Sequence, residues 1–307
     1  MKNAFPVYSM SSLSEVNEQD IQVSRFSPYL DIHKNLSSAH RHNFYHVVLF
    51  TEGEGTHQID FTKFEVKPYQ VYFMAPGQVH SWGFTEPVDG YIINFSAAFF
   101  ESFLLNPNFL DNFTFFSGFA EEQVIQVPLE QQSAVTGLFE SLLEERANNR
   151  SMGADMIRTL LLALFIRISR LRPADSPLNK ASYNDTLLRN FKMLIEQNYR
   201  VSRLPKDYAA LLYITPNHLN SLCNDLLGMP AGELIRNRVL LEAKRLLVNM
   251  DMTVSDIADV LNFTDNSYFS RFFKKQAGLT PEEFRKRTSF YQENNGIETT
   301  TKRTLSV

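Results

Sequence analysis

Four histidines and a tryptophan lie close together in the first third of the chain, in the segments HRHNFYH and PGQVHSW. If the first segment is an extended strand, His40, His42 and His46 point to one side, because side chains alternate between the two faces of a strand. His80 follows a Pro-Gly turn, and Trp82 shares its side of the next strand. Imidazoles bind Zn, Fe or Ni, and an indole ring stacks on sugars or on apolar molecules. We predict that these five residues line a small-molecule site or fill the core, with a metal site as the weaker alternative.

A second group of polar residues lies near the carboxyl end, in NSYFSRFFKKQAG. A helix at 100° per residue here has aromatic side chains on one side and polar side chains on the other. An Asn amide bonds adenine at two atoms, a guanidinium does the same to guanine, and lysines further along suit phosphates. An ordinary amphipathic helix with a solvated basic face is the alternative. The candidate DNA-binding residues of this helix are Asn266, Ser267, Ser270, Arg271, Lys274 and Lys275.

The same arrangement occurs earlier, in TPNHLNSLCNDLLG. Thr215 is the predicted N-cap, a proline takes the first helical position, and a glycine ends the helix. Each of the two helices follows a shorter apolar helix that contains an alanine, which is typical of a helix-turn-helix unit. The apolar face is predicted to contain Leu219, Leu222, Cys223 and Leu226, and the further candidate DNA-binding residues on the opposite face are Asn217, Asn220 and Ser221.

A long helix is predicted between the two units, over residues 230–249. At 1.5 Å per residue it would span about 30 Å, close to the roughly 34 Å between successive major-groove faces of one side of DNA. We therefore expect a stiff spacer that holds two reading helices in phase with the double helix. Its basic residues are predicted to contact phosphates or to be solvated: Arg236, Arg238, Lys244 and Arg245.

Other segments define the remaining elements. Residues from about 20 to 100 contain short runs rich in β-branched and aromatic residues between turns, which predicts a β-sandwich or barrel. Residues from about 129 to 171 change to a helical period with one break, which predicts a pair of helices. The segment RPADSPLNKASYND is typical of a linker, and the polar residues after Gln292 are typical of a disordered tail.

Composition and charge narrow the class of protein further. The 307-residue chain has a net charge of −4 and one cysteine, so it forms no internal disulfide and suits a reducing cytoplasm. Residues 1–183 carry 13 Lys and Arg against 20 Asp and Glu, whereas residues 184–290 carry 15 against 12. A mildly basic rear domain suits a polyanionic partner. There is no signal-peptide run, no membrane-spanning run, and no Ser-His-Asp, Cys-His or phosphate-loop motif, so we predict no membrane contact and no enzyme activity.

The rear third resembles the DNA-binding domain of the AraC/XylS family of transcription regulators. VSDIADVLNF, SYFSRFFKKQAG and TPEEFRK carry this resemblance most closely, and LLYITPNHLNSLCNDLLG carries it less closely. Asn262 stands where the family usually has glycine, and we expect this residue to adopt the left-handed conformation of that turn. HRHNFYHVVLFTEGEGTHQIDF and VKPYQVYFMAPGQVHSWGF resemble, more loosely, the cupin-like effector domain of many family members.

The resemblance implies an α+β architecture in four parts. Residues 1–171 form a cupin-like β-barrel with a helical hairpin, 172–184 a linker, 185–290 an all-α domain with two helix-turn-helix units, and 291–307 a disordered tail. The implied protein is a cytoplasmic activator that binds double-stranded DNA, a small-molecule effector and RNA polymerase, forms a homodimer through the hairpin, and needs no cofactor. The alternatives are a metal-dependent cupin enzyme joined to a DNA-binding domain and a regulator without an effector.

Overall fold

The structure is a computed structural model that describes residues 6–13, 20–33, 36, 38–101, 103, 109–118, 120–148, 150–171, 183–248 and 252–288. The chain divides into two compact units, Pro6–Asn179 and Lys180–Val307. The expected linker, apart from residues 183 and 184, and the expected tail lie outside the described residues. No helix among the described ranges is both long and apolar enough to cross a membrane.

The first unit is built around two five-stranded sheets. One has the strand order β1-β3-β8-β5-β6, and the other has the order β10-β7-β4-β9-β2. Except for the parallel pair β1 and β3, neighbouring strands are antiparallel. The strands are β1 (Val7–Tyr8), β2 (Ile21–Arg25), β3 (His40–His42), β4 (Tyr45–Glu52), β5 (Gly55–Ile59), β6 (Thr62–Val66), β7 (Gln70–Met74), β8 (Val79–Phe84), β9 (Asp89–Phe95) and β10 (Val124–Gln126).

The sheet that contains β4 is buried on both faces. Val48 and Phe50 belong to a core cluster that also contains Trp82 of the other sheet. Val47 and Leu49 alternate with them and belong to a second cluster, which the helices that follow the sheets cover. Because both faces are covered, β4 reads as a nearly continuous apolar run rather than as an alternation.

Two long helices form the hairpin, α4 (Leu129–Asn148) and α5 (Gly153–Ser169). Their inward residues, among them Phe139 of α4 and Phe165 of α5, are fully buried in the second cluster. The predicted helix pair is therefore confirmed, and its core-facing side packs on the sheets. The short helices that precede it are α1 (Met10–Leu13), α2 (Phe26–Ile32) and α3 (Ala98–Glu101), with 3-10 turns at Phe109–Asn112, Thr114–Phe116 and Ala120–Glu122.

The second unit is helical throughout its described residues. It contains α6 (Tyr183–Asn198), α7 (Pro205–Leu211), α8 (Pro216–Leu227), α9 (Ala231–Leu247), α10 (Val254–Val260) and α11 (Asn266–Ala277), and residues 281–288 are also helical. The pairs α7–α8 and α10–α11 each form a helix-turn-helix, and α9 contacts all four of these helices. A β-rich unit followed by an all-α unit is the predicted fold class.

Candidate functional site

Helix α8 begins and ends at the residues that the sequence predicts. The Thr215 hydroxyl accepts a hydrogen bond from the His218 backbone N–H at 3.2 Å, and Gly228 ends the helix with φ = 69°. On its apolar face Leu219, Leu222 and Cys223 are buried and Leu226 is half-buried. Burial raises the thiol pKa of Cys223 to about 11. A thiol with this pKa is protonated at neutral pH, so Cys223 is a core residue, as the sequence predicts.

Helix α11 repeats this construction. A carboxylate oxygen of Asp265 accepts from the Tyr268 backbone N–H at 2.7 Å, and Gly278 ends the helix with φ = 76°. Phe269 and Phe273 are fully buried. They pack against the short helix before them, where Ile257, Ala258 and Leu261 are buried.

The structure brings most of the candidate DNA-binding residues to the surface. Each helix has one exception that is half-buried, Asn220 in α8 and Ser270 in α11. The Ser270 hydroxyl lies 3.4 Å from the Asn266 amide oxygen, so these two side chains share one patch. The exposed candidates are Asn217, Ser221, Asn266, Ser267, Arg271, Lys274 and Lys275.

Asn220 also makes a hydrogen bond within the helical unit. Its side-chain oxygen accepts a hydrogen bond from the Ala231 backbone N–H at 3.1 Å. Ala231 is the first residue of α9, whose N-cap Pro230 has no side chain that can accept this bond. Asn220 therefore caps the N-terminus of α9 with its amide oxygen.

Helix α9 is shorter and more buried than the predicted spacer. It has 17 residues, which corresponds to about 25 Å rather than about 30 Å. Among its four basic residues only Arg236 is exposed, while Arg238 and Arg245 are buried and Lys244 is half-buried. The prediction that all four contact phosphates or solvent is therefore wrong for Arg238 and Arg245, because α9 is the central core helix of the unit.

A buried ion-pair network explains the position of these arginines. The Arg238 guanidinium donates from Nε to both carboxylate oxygens of Glu196, at 2.7 and 2.8 Å, and from Nη1 to Glu242 at 3.1 Å. Glu242 also lies 3.5 Å from Arg245 and 3.7 Å from Arg200. Burial by itself raises the pKa of Glu242, but the charges of Arg238 and Arg245 outweigh it and hold the pKa below its ordinary value. The network fixes α6 to α9.

Arg203 joins the two helix-turn-helix units directly. It precedes α7, donates from Nη2 to the Leu261 backbone carbonyl at the end of α10, and places its guanidinium 3.6 Å from the centre of the Phe263 ring. Sequence reasoning missed this contact, since nothing in the pattern around Arg203 indicates a partner 58 residues away.

The turns inside the two units have the same backbone conformation. Asn262 has φ = 54°, as its place in the turn predicts, and Tyr213 in the first unit has φ = 56°. Left-handed backbone is unfavourable for a bulky residue. The Tyr213 side chain is 96% exposed, so no burial of the ring offsets that cost.

The five residues of the predicted barrel site are gathered in the core between the two sheets. His40, His42, His46, His80 and Trp82 are all at most 5% exposed. The ring centroids of the histidines lie between 4.2 and 5.2 Å apart in the pairs 40–80, 42–80, 42–46, 40–42 and 46–80. The Trp82 ring lies 4.8 Å from His80. We call these residues, with His57, the histidine cluster.

His57 is the member that sequence reasoning missed. It lies on β5 opposite Trp82, and its Nε2 atom is 3.1 Å from Nδ1 of His80. It is fully buried. The alternation THQID, with His57 and Ile59 on one face, is the signal that could have placed it inside.

Burial keeps the whole cluster neutral at pH 7. It lowers the pKa of His40 to about 4 and that of His46 to about 3, and it holds the pKa values of His42, His57 and His80 well below their ordinary value. In every case the main cause is the loss of solvent around a charged imidazolium. Each ring therefore has one N–H and one lone pair.

A β-rich unit with an interior cluster of polar rings, followed by two helix-turn-helix units on a shared helix, defines a regulator with a ligand-binding domain and a DNA-binding domain. The AraC-like ligand binding domain model matches residues 31–165, and a helix-turn-helix domain model matches residues 208–287. The chain therefore combines an AraC-like ligand binding domain with a helix-turn-helix domain, as transcription regulators of the AraC family do.

Individual relatives are distant or match in part. The transcriptional regulator YijO of Escherichia coli is 27% identical over 147 residues, which cover 48% of this chain and 52% of YijO. The chain thus spans about half the length of this relative, and the same is true of YpdC from that organism. The transcriptional activator RhaR of Yersinia pestis is 22% identical over 81% of this chain and 84% of its own. The crystal structure of ToxT from Vibrio cholerae has a TM-score of 0.42 and 14% identity over 87% of this chain and 98% of that one.

Proposed function

We propose that the chain is a sequence-specific DNA-binding activator of transcription whose barrel binds an effector. The observation that carries this proposal is the pair of capped helices, α8 and α11, that present polar residues outward while both pack on α9. A helix that enters the major groove needs such an exposed face of hydrogen-bonding side chains.

In this proposal the two reading helices contribute unequally to DNA binding. Helix α11 supplies the positive charge, with Arg271 placed to bond guanine and Lys274 and Lys275 placed to contact phosphates. Helix α8 contains no lysine or arginine, so it reads through Asn217 and Ser221. We expect the half-site under α11 to contribute more of the affinity and of the salt dependence.

Footprinting and gel-shift titration of the full-length chain on DNA upstream of candidate target genes test this function. Arg271→Ala should weaken specific binding by about 1–3 kcal/mol and relax the preference at one base pair. Lys275→Ala is the matched control: it should weaken binding to all sequences alike and reduce the salt slope by about 1. If Arg271→Ala leaves the sequence preference at the protected site unchanged, Arg271 does not contact a base.

The proposed effector site is the histidine cluster, which includes Trp82. Binding there changes the affinity of the second unit for DNA, as a shift between two populations of the protein. The match to a family of ligand-binding domains over residues 31–165 supports this role. Thermal-shift measurements against a library of sugars, metabolites and ions test it.

We further propose a cytoplasmic homodimer that contacts RNA polymerase. The dimer forms through the outer side of the hairpin, where Ile166 is 37% exposed and lines a groove of about 460 Å³ that also includes Leu138 and Ala163. Sedimentation of Ile166→Glu against wild type tests this surface, since a charge in an apolar interface should shift the protein to monomer. An unchanged dimer would assign the contact elsewhere.

The alternative of a cupin enzyme has less support. Both matched models and the relatives named above are those of regulators, so we propose no catalytic activity. A regulator without an effector would show no thermal shift with any ligand.

A further inference from the structure

Three members of the histidine cluster offer ring nitrogens that converge. His40 and His42 lie on β3 and His80 on β8, and the strand register places His40 opposite His80. One nitrogen of each ring lies within 4.8 Å of the other two, and among the described residues no carboxylate or thiol joins the group. The three side chains are 0%, 3% and 1% exposed. The three histidines therefore form a solvent-excluded set of neutral nitrogen donors.

The outer hydrogen bond of His40 fixes its tautomer. Its Nδ1 atom lies 2.8 Å from the Ser38 backbone oxygen, and a carbonyl oxygen only accepts, so Nδ1 carries the hydrogen. The lone pair is therefore on Nε2, which is buried and has no hydrogen-bond partner among the described residues. An N–H bonded outward to a carbonyl with the other nitrogen left as a donor is the arrangement of metal-bound histidine.

His42 and His80 complete the donor set. Their Nε2 atoms lie 2.7 Å apart, so one of them carries the hydrogen that joins them. If both His42 and His80 hold their hydrogens on Nδ1 instead, both Nε2 atoms present lone pairs, and the Nδ1 N–H of His80 donates to Nε2 of His57 at 3.1 Å. Nitrogens bound to one tetrahedral ion are about 3.3 Å apart, as follows from metal–nitrogen bonds of about 2.0–2.1 Å. The Nε2 atoms of His42 and His80 are closer than this, and the nitrogens of the whole group lie within 4.8 Å of one another, so the rings must shift to bind one ion.

The surroundings of the cluster favour an ion over an organic effector. Trp82 packs edge-on against Phe26 at 5.4 Å and against His80 at 4.8 Å, and both Phe44 and Tyr72 are fully buried beside histidines. A sugar-sized molecule would have to displace several of these rings, whereas an ion needs only the space between three nitrogens. Imidazole donors select Zn, Cu, Ni or Co over Mg and Ca, which prefer oxygen.

We propose that His40, His42 and His80 bind one first-row transition-metal ion, with His57 as the outer partner that orients His80, and that this ion is the effector of the regulator. The geometry of the three histidines alone supports the metal site. Its role as effector rests on the proposed function, because it requires that the chain bind specific DNA.

Metal binding by the full-length chain, purified without a polyhistidine tag and stripped with a chelator, tests the site. We expect one Zn²⁺ per chain by equilibrium dialysis and elemental analysis, and a visible absorption band on titration with Co²⁺. His40→Gln and His80→Gln should abolish stoichiometric binding, and His57→Gln should weaken it by about 10–100-fold. The matched control is His218→Gln, because His218 is exposed on α8 and should leave the metal content unchanged.

The effector role is tested on the same preparations by gel shift at the footprinted site. Zn²⁺ should change the affinity of wild-type protein for that DNA by about 5–150-fold, which is the usual range of allosteric coupling. His80→Gln should not respond to Zn²⁺. Trp82 fluorescence, which reports on the barrel, verifies that each variant is folded.

If stripped wild-type protein does not bind one Zn²⁺ or Co²⁺ per chain, the proposed metal site is wrong, even if the footprint on DNA is intact. One bound ion with unchanged DNA affinity overturns its role as effector. One bound ion on a chain that protects no defined DNA leaves the site in place and refutes the proposed function instead. If the glutamine variants fail to fold, the wild-type titration and the rise of its melting temperature with Zn²⁺ decide the question.

Discussion

Replacement of Glu242 by glutamine should destabilise the helical unit by about 3 kcal/mol. The carboxylate is 13% exposed and lies within 3.1–3.7 Å of three guanidinium groups. Removal of one partner from a buried ion pair costs about 3–5 kcal/mol, because the remaining charge stays buried without compensation. We expect the lower end, since Arg238 keeps its two bonds to Glu196 and the exposed Arg200 contributes little.

The measurement is urea unfolding followed with two probes. Far-UV circular dichroism reports mainly on the helices, and fluorescence reports on the barrel, because Trp82 is the only tryptophan of the chain. Glu242→Gln should shift the helical transition and leave the Trp82 transition in place. In a thermal scan, about 3 kcal/mol corresponds to a fall in melting temperature of roughly 12–24 °C for a unit of this size.

The control is Glu282→Gln, since Glu282 is exposed on the helix at residues 281–288 and should change the stability by less than about 0.5 kcal/mol. A loss below about 1 kcal/mol for Glu242→Gln would refute the reasoning. It would mean that the charges of Arg238 and Arg245 are compensated by solvent or by relaxation of the helices.

Wild-type protein and Glu242→Gln should also differ in how their stability depends on pH. The pKa of Glu242 is lower in the folded state than its ordinary value of 4.5, so folding favours the ionised form. Its stabilising contribution is present above the pKa of the unfolded chain and is lost as the pH falls through the folded-state pKa. The difference in unfolding free energy between wild type and Glu242→Gln should therefore be constant above about pH 5 and shrink below pH 4.5.

Three further variants test single contacts. Asn220→Ala should lower the stability of the helical unit by about 1 kcal/mol in urea unfolding, as loss of a helix cap does, and leave base preference unchanged in a selection assay. Arg203→Ala should cost about 2 kcal/mol in the same unfolding measurement, from the lost carbonyl bond and the lost contact with Phe263. Tyr213→Asn should raise the melting temperature, because asparagine tolerates positive φ better; an unchanged or lower value would show that the turn is not strained.

Much of the fold follows from the sequence because local signals agree with the tertiary structure. The cap at Thr215 and the glycine that ends α8 are local features, and both are confirmed. The left-handed turn at Asn262 is confirmed for the same reason. The burial of the aromatic face of α11 follows from helical periodicity alone.

The predictions about charge were less successful because charge placement depends on distant partners. Arg238 and Arg245 look like surface residues in the sequence, and only the positions of Glu196 and Glu242 make their burial favourable. Asn220 lies on the polar face of its helix, but the bond to Ala231 is decided by how α9 begins. His57 was overlooked because its strand is short and it is a polar residue buried between a half-buried and an exposed neighbour.

The burial of α9 changes the physical basis of the spacing between the two reading helices. An exposed rod would set that spacing by its length, and a helix of about 25 Å is shorter than the roughly 34 Å between major-groove faces. Instead, α8 and α11 both pack on a core helix, and Arg203 connects the two helix-turn-helix units independently of α9. The spacing is therefore fixed by side-chain packing and by the capping bond of Asn220, so core substitutions far from DNA should alter which half-site separations are accepted.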